Sequence, residues 1–267
     1  PLPVVIISAL SEKVFDAMKA GAVDFVAKPQ VTEREQLRNF LCSELPVKIK
    51  VASTARVSRY KKPVAFAADQ HLSVRSDIDI IAIGASTGGT EAIAEVIRDF
   101  STDIPGTVIV QHMPPGFTEM YANRLDSQSR VKVKEAKNGD MVAPGQVLIA
   151  PGGSEHMSIV KVGDNYKVVL KKGEKVNGHC PSVDVLFNSV ADVAGAHAIG
   201  IILTGMGGDG AKGLLKMQKN GARTIGQDEA SCIVYGMPKV AYDLGAVMYQ
   251  EKLSDIAKKT YTLLNQR

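Results

Sequence analysis

The chain has 267 residues, 45% of them apolar and 22% charged, which is the composition of a globular protein with one large domain and a fragment, or with two modest domains. The net charge of +4 is mild and much of it is local, while the lack of a signal-peptide pattern or a long apolar stretch argues against membrane insertion. Three widely spaced cysteines without a C-x-x-C pair argue against a disulfide framework or a zinc site, so we expect a cytoplasmic protein.

The first 45 residues alternate short apolar runs with helical patterns. Strands are predicted at residues 4–7 and 23–26, and helices at residues 12–20 and near residues 32–41. A β-α-β-α segment of this size cannot bury a core sufficient for an independent domain. We therefore interpret residues 1–45 as the C-terminal part of a domain.

The next stretch, residues 46–76, is rich in Lys, Arg, Ser and Ala and shows no clear periodicity. Its basic residues include Lys48, Lys50, Arg56, Arg59, Lys61 and Lys62, with no acidic residue among them. Such a run could contact nucleic acid or an anionic lipid surface, but a solvated segment has the same composition. We interpret residues 46–76 as an interdomain linker.

From residue 77 onward, short apolar strands alternate with helices. Strands are predicted at residues 80–83, 107–111, 147–150, 198–203 and 223–226, and helices at residues 90–100, 118–127, 183–193, 210–220 and 238–244. This alternation is typical of a doubly wound α/β domain with a mostly parallel sheet. Residues 157–162 and 166–171 flank a Gly-Asp-Asn turn and predict an antiparallel hairpin at an edge of the sheet.

The pentapeptide Gly-Ala-Ser-Thr-Gly at residues 84–88 lies between the first of these strands and the first helix. G-x-S-x-G is the spacing of a nucleophile elbow, in which small neighbours let the chain turn sharply around Ser86. The N–H groups around Thr87 and Gly88, or those of the Gly-Met-Gly turn at residues 205–207, could stabilise an oxyanion. The same turn could instead bind an anion, with Ser86 acting only as a helix N-cap.

Polar residues follow two further strands of this domain. His112 comes directly after the strand at 107–111, and Asp209 lies in the glycine-rich turn after the strand at 198–203. Because the carboxyl ends of parallel strands meet at one edge of the sheet, we expect both residues to lie near Ser86. A serine, a histidine and an aspartate supply the nucleophile, the general base and the acid that orients the base.

Other interpretations of these residues stay open at this point. The order Ser-His-Asp differs from the α/β-hydrolase fold, where the acid precedes the histidine. The glycine turns could hold a phosphate or nucleotide in a non-catalytic binding module, although no G-K-[ST] follows the first of them. His179 is a rival base, for which we favour a structural role or one in a substrate loop. A serine hydrolase of small esters is a further alternative.

Five motifs occur in the order typical of the CheB family, the chemotaxis response-regulator protein-glutamate methylesterases, which the chain resembles over residues 77–250. The motifs are GASTGG (84–89), QHM (111–113), GHCPSVD (178–184), TGMGGDG (204–210) and SCIVYGMP (231–238). The resemblance implies that Ser86, His112 and Asp209 form a catalytic triad. It also implies that the backbone N–H of Met206 lies near the oxyanion.

The resemblance implies hydrolysis of glutamate methyl esters on methyl-accepting chemoreceptors, together with deamidation of receptor glutamines. The reaction would proceed through an acyl-enzyme on the serine. We expect no cofactor and no metal for catalysis, and neither nucleic acid nor membrane insertion among the interactions.

The first segment resembles the end of a receiver domain. Ser8 matches the switch hydroxyl and Lys28 the phosphate-contacting lysine, while the stretch between Ser8 and Gly21 is shorter than in most receivers. The phosphoacceptor aspartate and the acidic metal pocket would lie before Pro1. The resemblance implies control by a chemotaxis histidine kinase, with Mg²⁺ needed only for phosphorylation of a complete receiver. We expect the receiver to act as a lid over the catalytic domain, residues 77–267.

Overall fold

The computed structural model describes residues 2–9, 13–29, 34–55, 57 and 76–266. The chain divides into two compact units, one within residues 1–63 and the other within residues 64–267. Each unit has its own buried apolar residues and is described by itself.

The first unit is a parallel strand pair with helices. Its elements are β1 (Val5–Ser8), α1 (Lys13–Lys19), β2 (Asp24–Ala27), α2 (Arg34–Asn39), a π-helical segment (Phe40–Glu44) and α3 (Leu45–Ser53). The strands β1 and β2 pair in parallel, with Val5 opposite Asp24. Phe15 of α1 packs edge-on against Phe25 of β2, with 6.3 Å between the ring centroids. The β-α-β-α order expected from the sequence is therefore observed.

The helix α3 occupies residues 45–53, where the sequence suggested the start of an irregular linker. Lys48 Nζ on this helix lies 2.7 Å from Oδ2 of Asp24, a buried carboxylate of β2, so part of the basic run belongs to the first unit. Residues 58–75 lie outside the described residues. The domain limits 1–45, 46–76 and 77–267 stay predictions.

The second unit contains ten strands and six α-helices among its described residues. The strands are β3 (Ile80–Ala85), β4 (Gly106–Gln111), β5 (Lys132–Glu135), β6 (Met141–Val142), β7 (Gln146–Ile149), β8 (Glu155–Val162), β9 (Asn165–Lys172), β10 (Ala198–Ile202), β11 (Arg223–Gln227) and β12 (Tyr249–Glu251). The helices are α4 (Gly89–Arg98), α5 (Phe117–Gln128), α6 (Val183–Ala194), α7 (Ala211–Lys219), α8 (Met237–Asp243) and α9 (Leu253–Leu264). None of the described helices is both long enough and apolar enough to cross a membrane.

Seven of the strands form one sheet in the order β12-β11-β10-β3-β4-β7-β5, and every neighbouring pair is parallel. One side of β3 is filled by β4, β7 and β5, and the other side by β10, β11 and β12. The topology therefore switches direction between β3 and β10. Ligand sites in such sheets lie beyond the carboxyl ends of the strands at this point.

The central strand β3 is buried on both faces. Ile80 and Ala82 pack in one cluster with Leu186 of α6, while Ile81 and Ile83 point to the opposite face because side chains alternate along a strand. Helix α4 contacts β3 and also packs against α9. A strand covered on both faces reads as an uninterrupted apolar run, which is why the sequence predicted it well. The doubly wound α/β prediction is confirmed.

The predicted antiparallel hairpin is present as β8 and β9, joined at Gly163-Asp164. It belongs to a separate three-stranded sheet, β6-β9-β8, and does not extend the edge of the parallel sheet. The backbone N of Ile159 donates a hydrogen bond to Ser189 Oγ of α6 (2.9 Å), and Ile159 belongs to the same buried cluster as that helix. The hairpin thus packs on α6.

Gly84 shows how closely α6 approaches β3. A Cβ at this position would lie 2.2 Å from Val183 Cγ1, so no larger residue fits without movement. We expect Gly84→Ala to destabilise the second unit by about 1–3 kcal/mol through overpacking. Urea unfolding of the variant measures this loss.

The double variant Gly84→Ala/Val183→Ala is the matched control for that prediction. Shortening Val183 opens the space that the new methyl group needs, so the two costs should be less than additive. Strict additivity of the two losses would contradict the proposed steric conflict.

Candidate active site

Ser86 lies in the turn that joins β3 to α4 and is 8% exposed. Its backbone N donates to Thr204 O (3.0 Å), and its carbonyl accepts from the N of Gly89 (2.8 Å). The left-handed residue of this turn is Gly88, with a φ of 78°, rather than the serine. The turn between β3 and α4 is thereby attached to the segment that follows β10.

Gly205 lies directly beside Ser86. A Cβ on Gly205 would lie 2.7 Å from Ser86 Cβ and 2.4 Å from Met237 Sδ. The backbone N of Gly205 donates to Val234 O (3.0 Å), and the N of Met237 donates to Gly205 O (2.7 Å). Three motifs far apart in the sequence therefore meet around the serine.

His112 and Asp209 are brought together by the structure. His112 Nε2 lies 2.9 Å from Asp209 Oδ2, and their side chains are only 7% and 1% exposed. The backbone N of His112 donates to Ala85 O (3.2 Å), which places the histidine beside the end of β3. Because both side chains are buried, water does not compete for the hydrogen bond between them.

Asp209 accepts five hydrogen bonds. The donors are His112 Nε2 (2.9 Å), Asn177 Nδ2 (2.9 Å), Ser182 Oγ (2.7 Å) and the backbone nitrogens of Val183 (2.7 Å) and Asp184 (3.2 Å). Burial alone would raise the pKa of Asp209, but the hydrogen bonds and the nearby imidazole outweigh burial and hold the pKa far below its ordinary range. The carboxyl is therefore an anion at neutral pH.

The tautomer of His112 follows from this partner. An ionised carboxylate can only accept hydrogen bonds, so Nε2 of His112 carries the hydrogen and Nδ1 of the neutral ring carries the free lone pair. His112 Nδ1 is buried and has no hydrogen-bond partner among the described residues. A buried acceptor without a partner is uncommon and fits a general base that awaits a proton.

No hydrogen bond joins Ser86 Oγ to His112 within the part of the chain that the structure describes. Their backbones are nevertheless held together by Gln111. Its Nε2 donates to the carbonyl oxygens of Ser86 (2.9 Å) and His112 (3.2 Å). The sequence predicted no role for Gln111 beyond its place in the QHM motif, although a glutamine at the end of an otherwise apolar strand was an available signal.

His179, the rival base, lies against His112. The two imidazole rings stack with 3.6 Å between their centroids and an angle of 8° between their planes. His179 therefore covers one face of His112.

The candidate oxyanion donors surround the serine. Thr87 and Gly88 precede the first residue of α4, and Met206 follows Gly205, which contacts Ser86. Met206 is 41% exposed, so the turn beside the serine reaches the protein surface. Their role as donors stays a prediction.

Ser8 and Lys28 belong to the first unit. The backbone N of Lys28 donates to Ser8 O (2.7 Å), so the two residues are neighbours at the carboxyl ends of β1 and β2. This is the placement expected from a receiver-like arrangement, and their regulatory role stays a prediction.

The fold and the site define a class: an α/β protein with a mostly parallel sheet that carries a serine and a buried histidine–aspartate pair at its topological switch point. Residues 81–260 match the family model of the CheB methylesterases. The chain belongs to the CheB methylesterase family and is therefore an enzyme of the hydrolase class.

Individual relatives agree with this family. The chain is 60% identical over 266 residues to protein-glutamate methylesterase/protein-glutamine glutaminase 2 of Syntrophomonas wolfei subsp. wolfei, covering 100% of this chain and 77% of that protein. It is 48% identical over 277 residues to the enzyme of that name from Syntrophotalea carbinolica, covering 100% and 78%. The crystal structure of the Thermotoga maritima CheB methylesterase catalytic domain matches 70% of this chain and 98% of its own, with a TM-score of 0.68 and 38% identity.

The depressed pKa of Asp209 predicts a pH-dependent contribution to stability. Because the folded pKa lies below the unfolded value of about 4, the contribution is fully present above pH 4 and is lost as the pH falls towards the folded pKa. We expect Asp209→Asn to unfold at lower urea concentration than the parent at pH 7. The difference should shrink as the pH falls below about 4.

Asp192→Asn is the control for this measurement. Asp192 is an exposed carboxylate paired with Lys216 at the surface, so its removal should change stability little. A stability loss in Asp209→Asn that stayed constant from pH 7 to pH 3 would contradict the assignment.

Proposed function

We propose that this enzyme hydrolyses glutamate methyl esters on methyl-accepting chemoreceptors and deamidates receptor glutamines, using Ser86, His112 and Asp209 as a triad. The observation that carries the triad is the buried His112–Asp209 pair at the sheet edge where Ser86 follows β3. Nδ1 of this histidine has no hydrogen-bond partner among the described residues. The names of the similar enzymes, which include both a methylesterase and a glutaminase activity, support the two proposed reactions.

In the proposed first step, Ser86 Oγ attacks the carbonyl carbon of the glutamyl side chain while His112 Nδ1 takes the hydroxyl proton. The imidazolium so formed is stabilised through Nε2 by the ionised Asp209. The ring then gives its proton to the leaving group, which departs as methanol or as ammonia. The glutamyl group remains as an ester on Ser86.

In the second step, His112 takes a proton from water as the water attacks the acyl carbon. Collapse of the tetrahedral intermediate releases the glutamate, and the serine recovers its proton. Both tetrahedral intermediates carry an oxyanion, for which the N–H groups of Thr87, Gly88 or Met206 are the proposed donors. Removing one such donor typically raises the barrier by about 2.7–4 kcal/mol. Every step uses protein groups and water, so the proposed catalysis needs no cofactor.

Ser86→Ala should abolish release of methanol from methylated receptor, because no other group in the proposed scheme forms the acyl-enzyme. A loss of at least about 1,000-fold is expected from removal of a triad nucleophile. Ser127→Ala is a matched control, since Ser127 is exposed on α5 and its hydroxyl donates to the carbonyl of Arg124 one turn before it. Retained activity in Ser86→Ala would rule out the triad.

Hydroxylamine tests the covalent intermediate independently. It should divert the acyl-enzyme to a glutamyl hydroxamate, and the fraction diverted should be the same for methyl ester and glutamine substrates. Different fractions would show that the two reactions do not share an intermediate.

We also propose that a receiver domain controls this activity in the cytoplasm. The support is the resemblance of the first segment to a receiver and the placement of Ser8 and Lys28 at adjacent strand ends. A chemotaxis histidine kinase would phosphorylate the complete receiver with Mg²⁺. The unphosphorylated receiver would cover the catalytic domain.

Regulation by a receiver domain predicts that a fragment of residues 77–267 releases methanol from receptors faster than the intact two-domain protein in its unphosphorylated form. The catalytic unit keeps its own sheet and core in such a fragment. Melting temperatures of the two proteins control for damage to the fold. Equal rates in well-folded proteins would contradict occlusion of the site.

A further inference from the structure

Asn177 has an unusual backbone conformation. With a φ of 51°, it is the single non-glycine residue with positive φ among the described residues. Val176 and His179 exchange two backbone hydrogen bonds (3.0 and 2.9 Å), and Gly178 between them has a φ of 83°. A two-residue turn with both central φ values positive is the type I′ turn, for which Asn-Gly is a preferred sequence.

The side chain of Asn177 connects two buried carboxylates. Its Nδ2 lies 2.7 Å from Asp184 Oδ2 and 2.9 Å from Asp209 Oδ1. An amide nitrogen carries two hydrogens, so one is available for each acid. The turn therefore places a neutral donor within hydrogen-bond distance of both carboxylates.

Asp184 is held in a fixed position near Asp209. It is 5% exposed, lies in the first turn of α6, and its Oδ1 accepts from the backbone N of Gly213 (2.7 Å). Burial and the neighbouring Asp209 raise the pKa of Asp184. Two carboxylates so close repel each other, and neighbours of this kind tend to share one proton. A proton taken up by this pair goes to Asp184, whose pKa is raised, while Asp209 has to stay ionised as the acceptor that His112 requires.

We propose that Asn177 is a positioning residue of this enzyme, which keeps Asp209 ionised and directed at His112 by bridging it to Asp184. Asn177 acts through Asp209 and does not touch the reacting atoms. The inference rests on the proposed Ser86–His112–Asp209 chemistry.

The pH dependence of activity is set by several ionisable residues together. The ionisable side chains that face Asp209 are His112, after β4, and Asp184, on α6, while His179 stacks on His112 from the same turn as Asn177. Because these groups interact, the acid limb of the activity profile reports the proton affinity of the group as a whole. Loss of the Asn177 amide raises that affinity and moves the limb to higher pH.

Asn177→Gly and Gly178→Ala separate the amide from the turn. Glycine suits a φ of 51°, so Asn177→Gly removes the amide and retains the turn. Alanine at position 178 keeps the amide and strains the turn through its φ of 83°, since its Cβ would otherwise clash with nothing within 4 Å. The test measures kcat/KM for methanol release from pH 5 to pH 9, and the melting temperature, for the parent and both variants.

We expect Asn177→Gly to move the midpoint of the acid limb up by about one pH unit, and to lower kcat/KM about tenfold on that limb. Its melting temperature should also fall, because two buried carboxylates lose a donor, so the midpoint and not the stability distinguishes the two variants. Gly178→Ala should lower the melting temperature and leave the midpoint in place. The same shift should appear in the NMR titration of the His112 ring of Asn177→Gly, which does not depend on turnover.

Two charge variants complete the test. Asn177→Asp places a third carboxylate at the site and should shift the limb further than Asn177→Gly. Adding Asp184→Asn to Asn177→Gly removes the competing charge and should return the midpoint towards that of the parent. A parental profile in Asn177→Gly, or an equal shift in Gly178→Ala, would overturn the role of the amide. Retained methanol release in Ser86→Ala would instead overturn the proposed function.

Discussion

The carboxylate of Asp209 is the charge around which the second unit arranges its site. It lies at the N-terminus of α6, where it accepts from the backbone nitrogens of Val183 and Asp184, and Ser182 supports it from the preceding residue. A helix start presents unpaired N–H groups and a partial positive charge, which together compensate the loss of water around a buried anion. The same anion fixes the ring of His112. One electrostatic requirement thus couples the start of a helix to the position of the candidate base.

The parallel sheet determines which residues can meet this anion. Strands β3, β4 and β10 are neighbours and end at the same edge, so the residues that follow them share one crevice. Helix α6 reaches this crevice only because Gly84 leaves room for Val183. Packing between strand and helix therefore places the donors of α6 beside a carboxylate that arrives from a different strand.

Most elements with strong apolar patterns were predicted from the sequence, as was the convergence of His112 and Asp209. Helix α9 was not predicted, although one of its faces is apolar and buried. Strands β5 and β12 were missed because they are short and polar at the two edges of the sheet, where one side of a strand has no partner. The role of Asn177 was missed too. Its Asn-Gly pair was a legible turn signal, but the acids that its side chain bridges are set by tertiary contacts that no local pattern contains.

The bond from the backbone N of Ser86 to Thr204 O has a consequence for how the enzyme matures. It joins segments on neighbouring strands that are separated by most of the catalytic unit, including β4 to β9 and α6. Contacts between such distant segments carry a large loop-closure entropy and form late in folding. Ser86 therefore acquires its setting only when the two halves of the sheet have joined. In a nascent or partly folded chain, this serine is not yet held beside Gly205 and the segment that follows β10.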